Sequence, residues 1–177
     1  MLQIKNLDIN LIKDDRKLLK DFDLALNPGD KVGLIGEEGN GKSILLKTIT
    51  RRESVEKYAQ VSGQIHKKGE IIGYLPQSLD DNLLDLTVAN YMNHILDMDI
   101  VDYNKLYKYL DQFGFDEDLV FGKLKLSDLS GGERIKILLL FEILKNPTVF
   151  LFDEPTNDLD YESTNFITKI MQDMKIP

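Results

Sequence analysis

A glycine-rich run that ends in a lysine and a hydroxyl side chain is the clearest chemical feature of the sequence. The run Gly36-Glu37-Glu38-Gly39-Asn40-Gly41-Lys42-Ser43 has the spacing G-x-x-x-x-G-K-[ST]. Glycines allow successive backbone N–H groups to point at phosphate oxygens, and the helix that follows adds its N-terminus. Lys42 would place its charge on the β- and γ-phosphates of a triphosphate, and the Ser43 hydroxyl would ligate Mg²⁺. We therefore predict a phosphate-binding loop of residues 36–43, with Ile44 beside it.

The alternative is a glycine-rich turn with an exposed lysine. The flanking sequence favours the phosphate loop, because the apolar run Lys31–Ile35 before it predicts a strand and Ser43–Arg51 after it predicts a helix.

Two adjacent acids follow a short apolar run near the C-terminus. Thr148–Phe152 predicts a buried parallel strand, which would deliver Asp153 and Glu154 to the carboxyl edge of a sheet, where ligands bind in such folds. Asp153 would hold Mg²⁺ directly or through water. Glu154 would polarise a water for attack on the γ-phosphate, as a general base. The alternative, a polar exit from the strand, is weakened by the phosphate loop upstream.

The elements that must position these residues alternate between strands and helices. Leu2–Leu11 and Leu18–Leu26 predict strands, and Val61–His66 with Ile71–Leu75 predicts a hairpin that turns near Lys68-Gly69. Helices are predicted from the Thr87 cap to about Met98, over Asp102–Phe113, over Ser130–Leu144 and over Asp160–Met174. This pattern predicts an α/β fold with a mainly parallel sheet.

The bulk properties exclude several classes of protein. The chain has 177 residues, 42% of them apolar, no cysteine and a net charge of −8. Disulfides and thiolate metal sites are therefore excluded, and the acidic balance argues against a broad basic face for nucleic acid. No apolar run reaches the length of a membrane span, and the N-terminus carries no secretory signal. We expect a cytoplasmic protein.

The segment Leu129-Ser130-Gly131-Gly132-Glu133, together with Asp153-Glu154-Pro155-Thr156-Asn157-Asp158-Leu159-Asp160, resembles the ATP-binding cassette (ABC) ATPases. The resemblance covers essentially the whole chain and keeps the family's order of motifs. It implies that ATP and Mg²⁺ are bound, and that Gln77 is the glutamine that reaches the Mg²⁺ and the attacking water. It also implies that Leu129–Glu133 is the signature motif and that Asn157–Asp160 is the D-loop.

The signature segment has a second, purely local interpretation. Ser130 and Glu133 have the spacing of a capping box at the start of a helix. Such a start, with Gly131 and Gly132, leaves N–H groups free for an anion. In the family that anion is the γ-phosphate of ATP bound to an opposite domain, so the resemblance implies a head-to-tail dimer of two ABC domains.

The resemblance also implies a domain organisation. Residues 1–78 and 131–177 would form the P-loop ATPase core with an N-terminal antiparallel β-subdomain. Residues 79–130 would form a small helical subdomain that leads to the signature.

Partners are not determined by these motifs. The sequence of residues 153–160 and the glutamate after the signature glycines most resemble the ABC-F branch of the family. Members of that branch act on ribosomes, in translation or antibiotic resistance. The alternative partner is the permease of a membrane transporter, for which the chain would be the ATP-binding subunit. A third hypothesis is a nucleotide-dependent interaction module that does not hydrolyse ATP.

The sequence departs from the family at two places. Residues 1–21 contain no aromatic side chain to stack on adenine, and Lys13 or Ile12 falls near the expected position, which leaves the preference for ATP over GTP open. The switch histidine and closing strands would lie beyond Pro177, so we expect a piece of a longer protein that turns over little ATP alone. Tyr74 is predicted to be a half-buried strand residue, and His66 and His94 to be surface or hydrogen-bonded residues rather than metal ligands.

Overall fold

The computed structural model describes residues 1–157 and 159–173. These residues form two compact units, the first made of residues 1–74 and 148–153, and the second of residues 75–147 and 154–173 without residue 158. Asp158 of the predicted D-loop and Met174 of the predicted last helix lie outside the described residues. The predicted domain boundaries at residues 78, 130 and 131 stay a prediction.

The first unit contains a three-stranded antiparallel sheet. Its strands are β1 (Leu2–Leu11), β2 (Lys17–Leu26) and β3 (Ala59–His66), in the order β2-β1-β3. Leu2, Ile4, Leu7 and Ile9 of β1 are buried, Leu11 is partly buried, and these residues form a core with helix α1 (Lys42–Val55). The two strands predicted at the N-terminus are confirmed.

A β-bulge interrupts the pairing of β1 with β3 at Gly63. Gly63 has φ +93°, and a Cβ atom there would lie 2.3 Å from the carbonyl oxygen of Asn6. The pairing of β1 with β3 shifts register at the same place, between Lys5 and Asp8. Only glycine combines this dihedral with this close approach of two backbones.

A second sheet in the described residues pairs β4 (Ile72–Leu75) with β5 (Val149–Phe152). The Thr148 amide donates to the Ile71 carbonyl at 2.8 Å before the two strands, and Tyr74 and Asp153 are hydrogen-bonded at their ends. The first residues of β4 and β5 therefore lie side by side, and so do the residues at their ends, so the two strands are parallel. A continuous apolar run such as β5 is typical of a parallel strand.

Two predictions in this unit are wrong. Lys31–Ile35 forms no strand, and Val32 and Ile35 are exposed, because the described residues contain no segment that pairs with it. The hairpin of Val61–His66 with Ile71–Leu75 does not form either. The turn near Gly69 exists, with the Glu70 amide donating to the Lys67 carbonyl at 3.1 Å. However, β3 pairs with β1 and β4 pairs with β5, so the turn connects two sheets.

The second unit is helical in the residues described. Its α-helices are α2 (Asp81–Leu84), α3 (Val88–Ile95), α4 (Tyr103–Phe113), α5 (Glu117–Phe121), α6 (Gly131–Leu144) and α7 (Tyr161–Asp173). Thr87 caps α3 with its side-chain oxygen, as predicted, and Asp102 caps α4 in the same way at the start of the predicted second helix. Helix α3 ends at Ile95, earlier than the predicted Met98.

Helix α6 forms the centre of this unit. Its last two turns, from Ile137 to Leu144, are buried on all sides. A buried helix surrounded by other helices needs no polar face, which explains the near-continuous apolar sequence of this segment. Among the described residues, no helix is long and apolar enough to cross a membrane.

Candidate functional site

The phosphate loop has the backbone that its glycines allow. Gly41 adopts φ 85° and is the N-cap of α1, and the Leu45 amide donates to its carbonyl at 2.9 Å. A Cβ atom at Gly41 would lie 3.0 Å from the Cβ of Leu18, so both the dihedral and the space require glycine. Every residue from 36 to 40 is exposed, which keeps the loop accessible to a ligand.

The Lys42 side chain folds back over this loop. Its Nζ atom donates to the carbonyl oxygens of Gly36, at 2.7 Å, and of Glu37, at 3.1 Å. The ammonium group is therefore held over the loop, where a phosphate anion would meet both this charge and the N-terminus of α1.

Ser43 and Asp153 come together although 110 residues separate them. The Ser43 hydroxyl donates to Oδ1 of Asp153 at 2.8 Å, and Asp153 is only 3% exposed. The hydroxyl and carboxylate oxygens are hard ligands of the kind that Mg²⁺ prefers, so these residues fit the metal of a nucleotide. The contact links the N-terminus of α1 to the end of β5.

Tyr74 completes the surroundings of this carboxylate. Its hydroxyl donates to Oδ2 of Asp153 at 3.2 Å. Burial raises the pKa of the Tyr74 phenol far above its usual range, and the neighbouring Asp153 charge and hydrogen bond add to the effect. Tyr74 is half-buried on a strand, as predicted, but its role as a partner of Asp153 was not predicted.

Glu154 has a different set of partners. Its Oε2 atom accepts a hydrogen bond from Nε2 of Gln77 at 3.0 Å and one from Nδ2 of Asn157 at 2.6 Å. Glu154 also has φ 50°, in the left-handed region that non-glycine residues seldom adopt. The structure thus brings together Gln77 and Glu154, which the sequence predicts to be catalytic, and adds Asn157.

A second basic side chain reaches the phosphate loop. Nη2 of Arg16 donates to the carbonyl oxygen of Gly39 at 3.3 Å, and the Arg16 amide donates to Oδ1 of Asp14 at 3.3 Å. The sequence holds a weak signal for it, an arginine in the turn that joins β1 to β2.

The signature segment forms the predicted capping box. The Glu133 amide donates to Oγ of Ser130 at 3.3 Å, and the Ser130 amide and hydroxyl donate to Oε2 of Glu133 at 2.9 and 2.7 Å. The Ser130 hydroxyl, and then the Ser130 amide, hold the pKa of Glu133 below its usual value. Glu133 is therefore an ionised carboxylate at neutral pH, at a helix N-terminus that favours it.

Gly132 lies against the start of α7. A Cβ atom at Gly132 would be 2.3 Å from Oγ and 3.2 Å from Cβ of Ser163, which is itself 5% exposed. The Ser163 amide donates to Oδ1 of Asp160 at 2.7 Å, which caps α7. Gly132 therefore allows α6 and α7 to approach closely, a packing role that the sequence does not reveal, whereas Gly131 is exposed.

The predicted site residues thus form three groups. Lys42, Ser43 and Asp153 lie in the first unit, and Gln77 with Glu154 forms a group in the second unit. The signature segment also belongs to the second unit. We predict from the sequence that Lys42 and Ser43 share one triphosphate–magnesium site with Asp153 and Glu154, and the inclusion of Glu154 in that site stays a prediction.

Histidine ligands for a metal are not found in the described part of the chain. Nε2 of His66 is 3.1 Å from Oε1 of Gln64, as expected of a hydrogen-bonded surface residue. No cluster of three histidine, cysteine, aspartate or glutamate side chains that could hold an ion occurs among residues 1–157 and 159–173.

Known proteins resemble this chain over most of its length. The family model described as ABC transporter matches residues 19–157. The chain is 33% identical over 159 residues to the ATP-binding protein YheS of Escherichia coli (strain K12), covering 89% of this chain and 24% of YheS. It is 34% identical over 148 residues to the zinc import ATP-binding protein ZnuC of Magnetococcus marinus, covering 82% of this chain and 53% of ZnuC.

A solved structure has the same fold. It is cbiO1 of Clostridium perfringens, a part of the ABC transporter complex cbiONQ, which matches with a TM-score of 0.68 at 24% identity and covers 98% of this chain and 73% of cbiO1. The chain spans about a quarter of the length of YheS and about half of that of ZnuC. With the family model matching most of its residues, the chain belongs to the ABC transporter family as an ATP-binding, P-loop ATPase domain.

Proposed function

We propose that this chain binds Mg²⁺–ATP at the phosphate loop and hydrolyses ATP as one cassette of a longer ABC-F-type protein. The observation that carries the proposal is the hydrogen bond of 2.8 Å between Ser43 and Asp153. It joins the loop that would hold the phosphates to the carboxylate that would hold the metal. Neither residue type alone is informative, but a buried carboxylate at the first turn of a phosphate-loop helix is what magnesium–nucleotide binding requires.

The loop supplies the anion site. Its glycine-rich backbone and the N-terminus of α1 provide N–H donors, and Lys42 provides a charge that is already held over the loop. Bound Mg²⁺ would neutralise charge on the β- and γ-phosphates, with Ser43 and Asp153 as its protein ligands.

Glu154 would act as the general base. Its Oε2 atom is fixed by Gln77 and Asn157, so the carboxylate is oriented before a substrate arrives. The Glu154 carboxylate would then accept a hydrogen bond from the attacking water and take its proton. Gln77 would orient the same water.

A second cassette would complete the reaction. The capping box at Ser130 and Glu133 presents a helix start to an anion, and in a head-to-tail dimer that anion is the γ-phosphate of the partner's ATP. We therefore propose that turnover requires association, with the ATP sandwiched between two domains.

Calorimetric titration of Mg²⁺–ATP tests the binding site. Lys42→Ala should weaken binding by about 10- to 100-fold, because a charged hydrogen bond to phosphate is removed. Lys47→Ala, which removes an exposed lysine from the same helix, is the matched control and should bind as the wild type does. Equal affinity of the two variants would contradict the assignment of the loop. Titration with Mg²⁺–GTP of the same samples measures the nucleotide preference.

Turnover tests the role of Glu154. Glu154→Gln should retain Mg²⁺–ATP binding within about threefold and lose phosphate release by about 100-fold or more, since it keeps the shape but not the base. Release by the wild type should rise faster than linearly with protein concentration. Steady release that is strictly linear in concentration and abolished by Glu154→Gln would contradict the requirement for a second domain.

The ribosome is the partner that we propose, on the sequence of residues 153–160 and the glutamate at position 133. Sedimentation with ribosomes should be seen for the Glu154→Gln variant with ATP and lost with ADP. A transporter cassette is the second candidate, because ZnuC, a zinc import ATP-binding protein, is among the relatives. Binding to a membrane permease, without binding to ribosomes under either nucleotide, would favour that candidate.

A further inference from the structure

Two hydroxyl groups hold the two oxygens of one buried carboxylate. Oδ1 of Asp153 accepts from Ser43 at 2.8 Å, and Oδ2 accepts from Tyr74 at 3.2 Å. Asp153 is 3% exposed, so water cannot readily replace either donor. The two hydrogen bonds come from different elements, α1 and β4, and together they fix both the position and the plane of the carboxylate.

The two donors differ in what they can do next. The Ser43 hydroxyl keeps lone pairs that a cation can share while its O–H donates to Oδ1 of Asp153. The Tyr74 hydroxyl donates its proton to Oδ2 of Asp153 from β4, at the carboxylate oxygen that Ser43 does not contact. Tyr74 therefore holds Asp153 without needing to bind the metal itself.

We propose that Tyr74 is a positioning residue for the metal of the nucleotide: its hydroxyl orients the Asp153 carboxylate and thereby sets the affinity for the divalent cation. The inference rests on the proposed binding of Mg²⁺–ATP and deepens it. Partners that hydrogen-bond to a ligating carboxylate commonly change metal affinity by about 10- to 100-fold when they are removed.

A merely structural role for Tyr74 is the competing explanation. The tyrosine ring packs against the core of the first unit, where β1 and α1 meet. Tyr74→Phe separates the two roles, because it keeps the ring and its packing and removes only the hydroxyl.

Mn²⁺ serves as the probe, since its free concentration can be followed by electron paramagnetic resonance without any turnover. The 177-residue chain is titrated with Mn²⁺ in the presence of a saturating, non-hydrolysable ATP analogue. Tyr74→Phe should weaken Mn²⁺ binding by about tenfold or more, while the affinity for the analogue in EDTA stays within about twofold of the wild type. Tyr103→Phe, which removes the hydroxyl of an exposed tyrosine on α4, is the control and should bind Mn²⁺ as the wild type does.

Repeating the test in a variant that lacks the Asp153 carboxylate separates the proposed role of Tyr74 from an effect on fold stability. In Asp153→Asn the carboxylate is gone, so adding Tyr74→Phe should cause no further loss of Mn²⁺ affinity. Unchanged Mn²⁺ affinity in Tyr74→Phe alone, or an equal loss in both backgrounds, would overturn the inference and leave the proposed function standing. If the wild-type chain binds neither Mn²⁺ nor the analogue, the proposed function fails, and this inference with it.

Discussion

Replacing Gly132 with alanine should destabilise the second unit through packing, apart from any effect on nucleotide. The added Cβ would lie 2.3 Å from Oγ of Ser163 and 3.2 Å from its Cβ. The Oγ atom can move by rotation about χ1, but the Cβ–Cβ distance must grow by a few tenths of an ångström, in a place where Ser163 is buried. Overpacking of this kind typically costs about 1–3 kcal/mol. We expect about 2 kcal/mol, which corresponds to about 4–8 °C in melting temperature for a chain of this size.

A double-mutant cycle in urea measures this packing. Ser163→Ala removes the Oγ atom and leaves only the contact at 3.2 Å, so Gly132→Ala should cost about 1 kcal/mol less in the Ser163→Ala background than in the wild type. Ser163→Ala alone is the necessary reference, because it also loses a hydrogen bond to Asp160. An identical cost of Gly132→Ala in the two backgrounds would refute the packing argument. If the double variant with Gly132→Ala and Ser163→Ala regains stability but not ATP-dependent association with a second domain, the remaining defect lies in the proposed anion-binding role of the signature.

Three further changes test local features of the fold, each by urea denaturation. Gly63→Ala should lower the free energy of unfolding by about 3 kcal/mol or more, because it combines a left-handed dihedral with a Cβ 2.3 Å from the Asn6 carbonyl oxygen. Gly69→Ala is the control: Gly69 has φ +79° but open space around it, so the loss should be only about 1–2 kcal/mol. Thr87→Ala should cost about 1 kcal/mol by removing the cap of α3, and Thr87→Ser should cost clearly less; equal costs would contradict the cap. The pKa of Glu133 is lower in the folded state than its ordinary value of about 4.3. The Glu133 carboxylate therefore contributes its full stabilisation above the ordinary pKa, and this stabilisation is lost as the pH falls through the lower pKa of the folded state. The stability difference between wild type and Glu133→Ala should therefore shrink from pH 7 to about pH 3, and a difference that is independent of pH would contradict it.

Features encoded within a few residues could be predicted from the sequence. The alternation in Leu2–Leu11 gave a strand with the right buried face, because one face of an antiparallel sheet must cover a core. The caps at Thr87 and Ser130 marked where α3 and α6 begin, since a side-chain oxygen there satisfies N–H groups that the helix cannot. These signals act locally, so no knowledge of the rest of the fold was needed.

Strand pairing could not be predicted in the same way. Lys31–Ile35 has the composition of a buried strand, yet it is exposed and unpaired with any described segment. The turn at Gly69 was correctly located, but composition does not tell whether a turn joins neighbours in one sheet or leads from one sheet to another. A strand is defined by its partner, and the choice of partner depends on contacts that are distant in the chain.

The site shows the same division. Ser43 and Asp153 were predicted to meet because a phosphate loop and an acidic strand end are both recognisable segments. Tyr74 and Asn157 were not assigned as partners of the carboxylates, because their contacts depend on which strands pair and on how the chain turns after β5. A tyrosine or an asparagine carries no spacing signal of its own.

The turn after β5 gives two adjacent carboxylates different surroundings. Asp153 directly follows β5 and is buried. Its two carboxylate oxygens accept hydrogen bonds from the hydroxyl groups of Ser43 and Tyr74. Hydroxyl oxygens can share their remaining lone pairs with a cation, so this environment suits a metal. Glu154 adopts φ 50°, and the Asn157 amide donates to its carbonyl at 3.1 Å, so the chain turns at once. Such a dihedral costs about 1 kcal/mol or more for a side chain larger than glycine, and the residue is kept in it by the surrounding contacts. Amide nitrogens donate but do not accept, so Asn157 can fix one oxygen of Glu154 without competing for a proton at the other. The strain at Glu154 therefore accompanies a turn after which two neighbouring carboxylates have different hydrogen-bond partners, as the proposed metal ligand and the proposed general base would require.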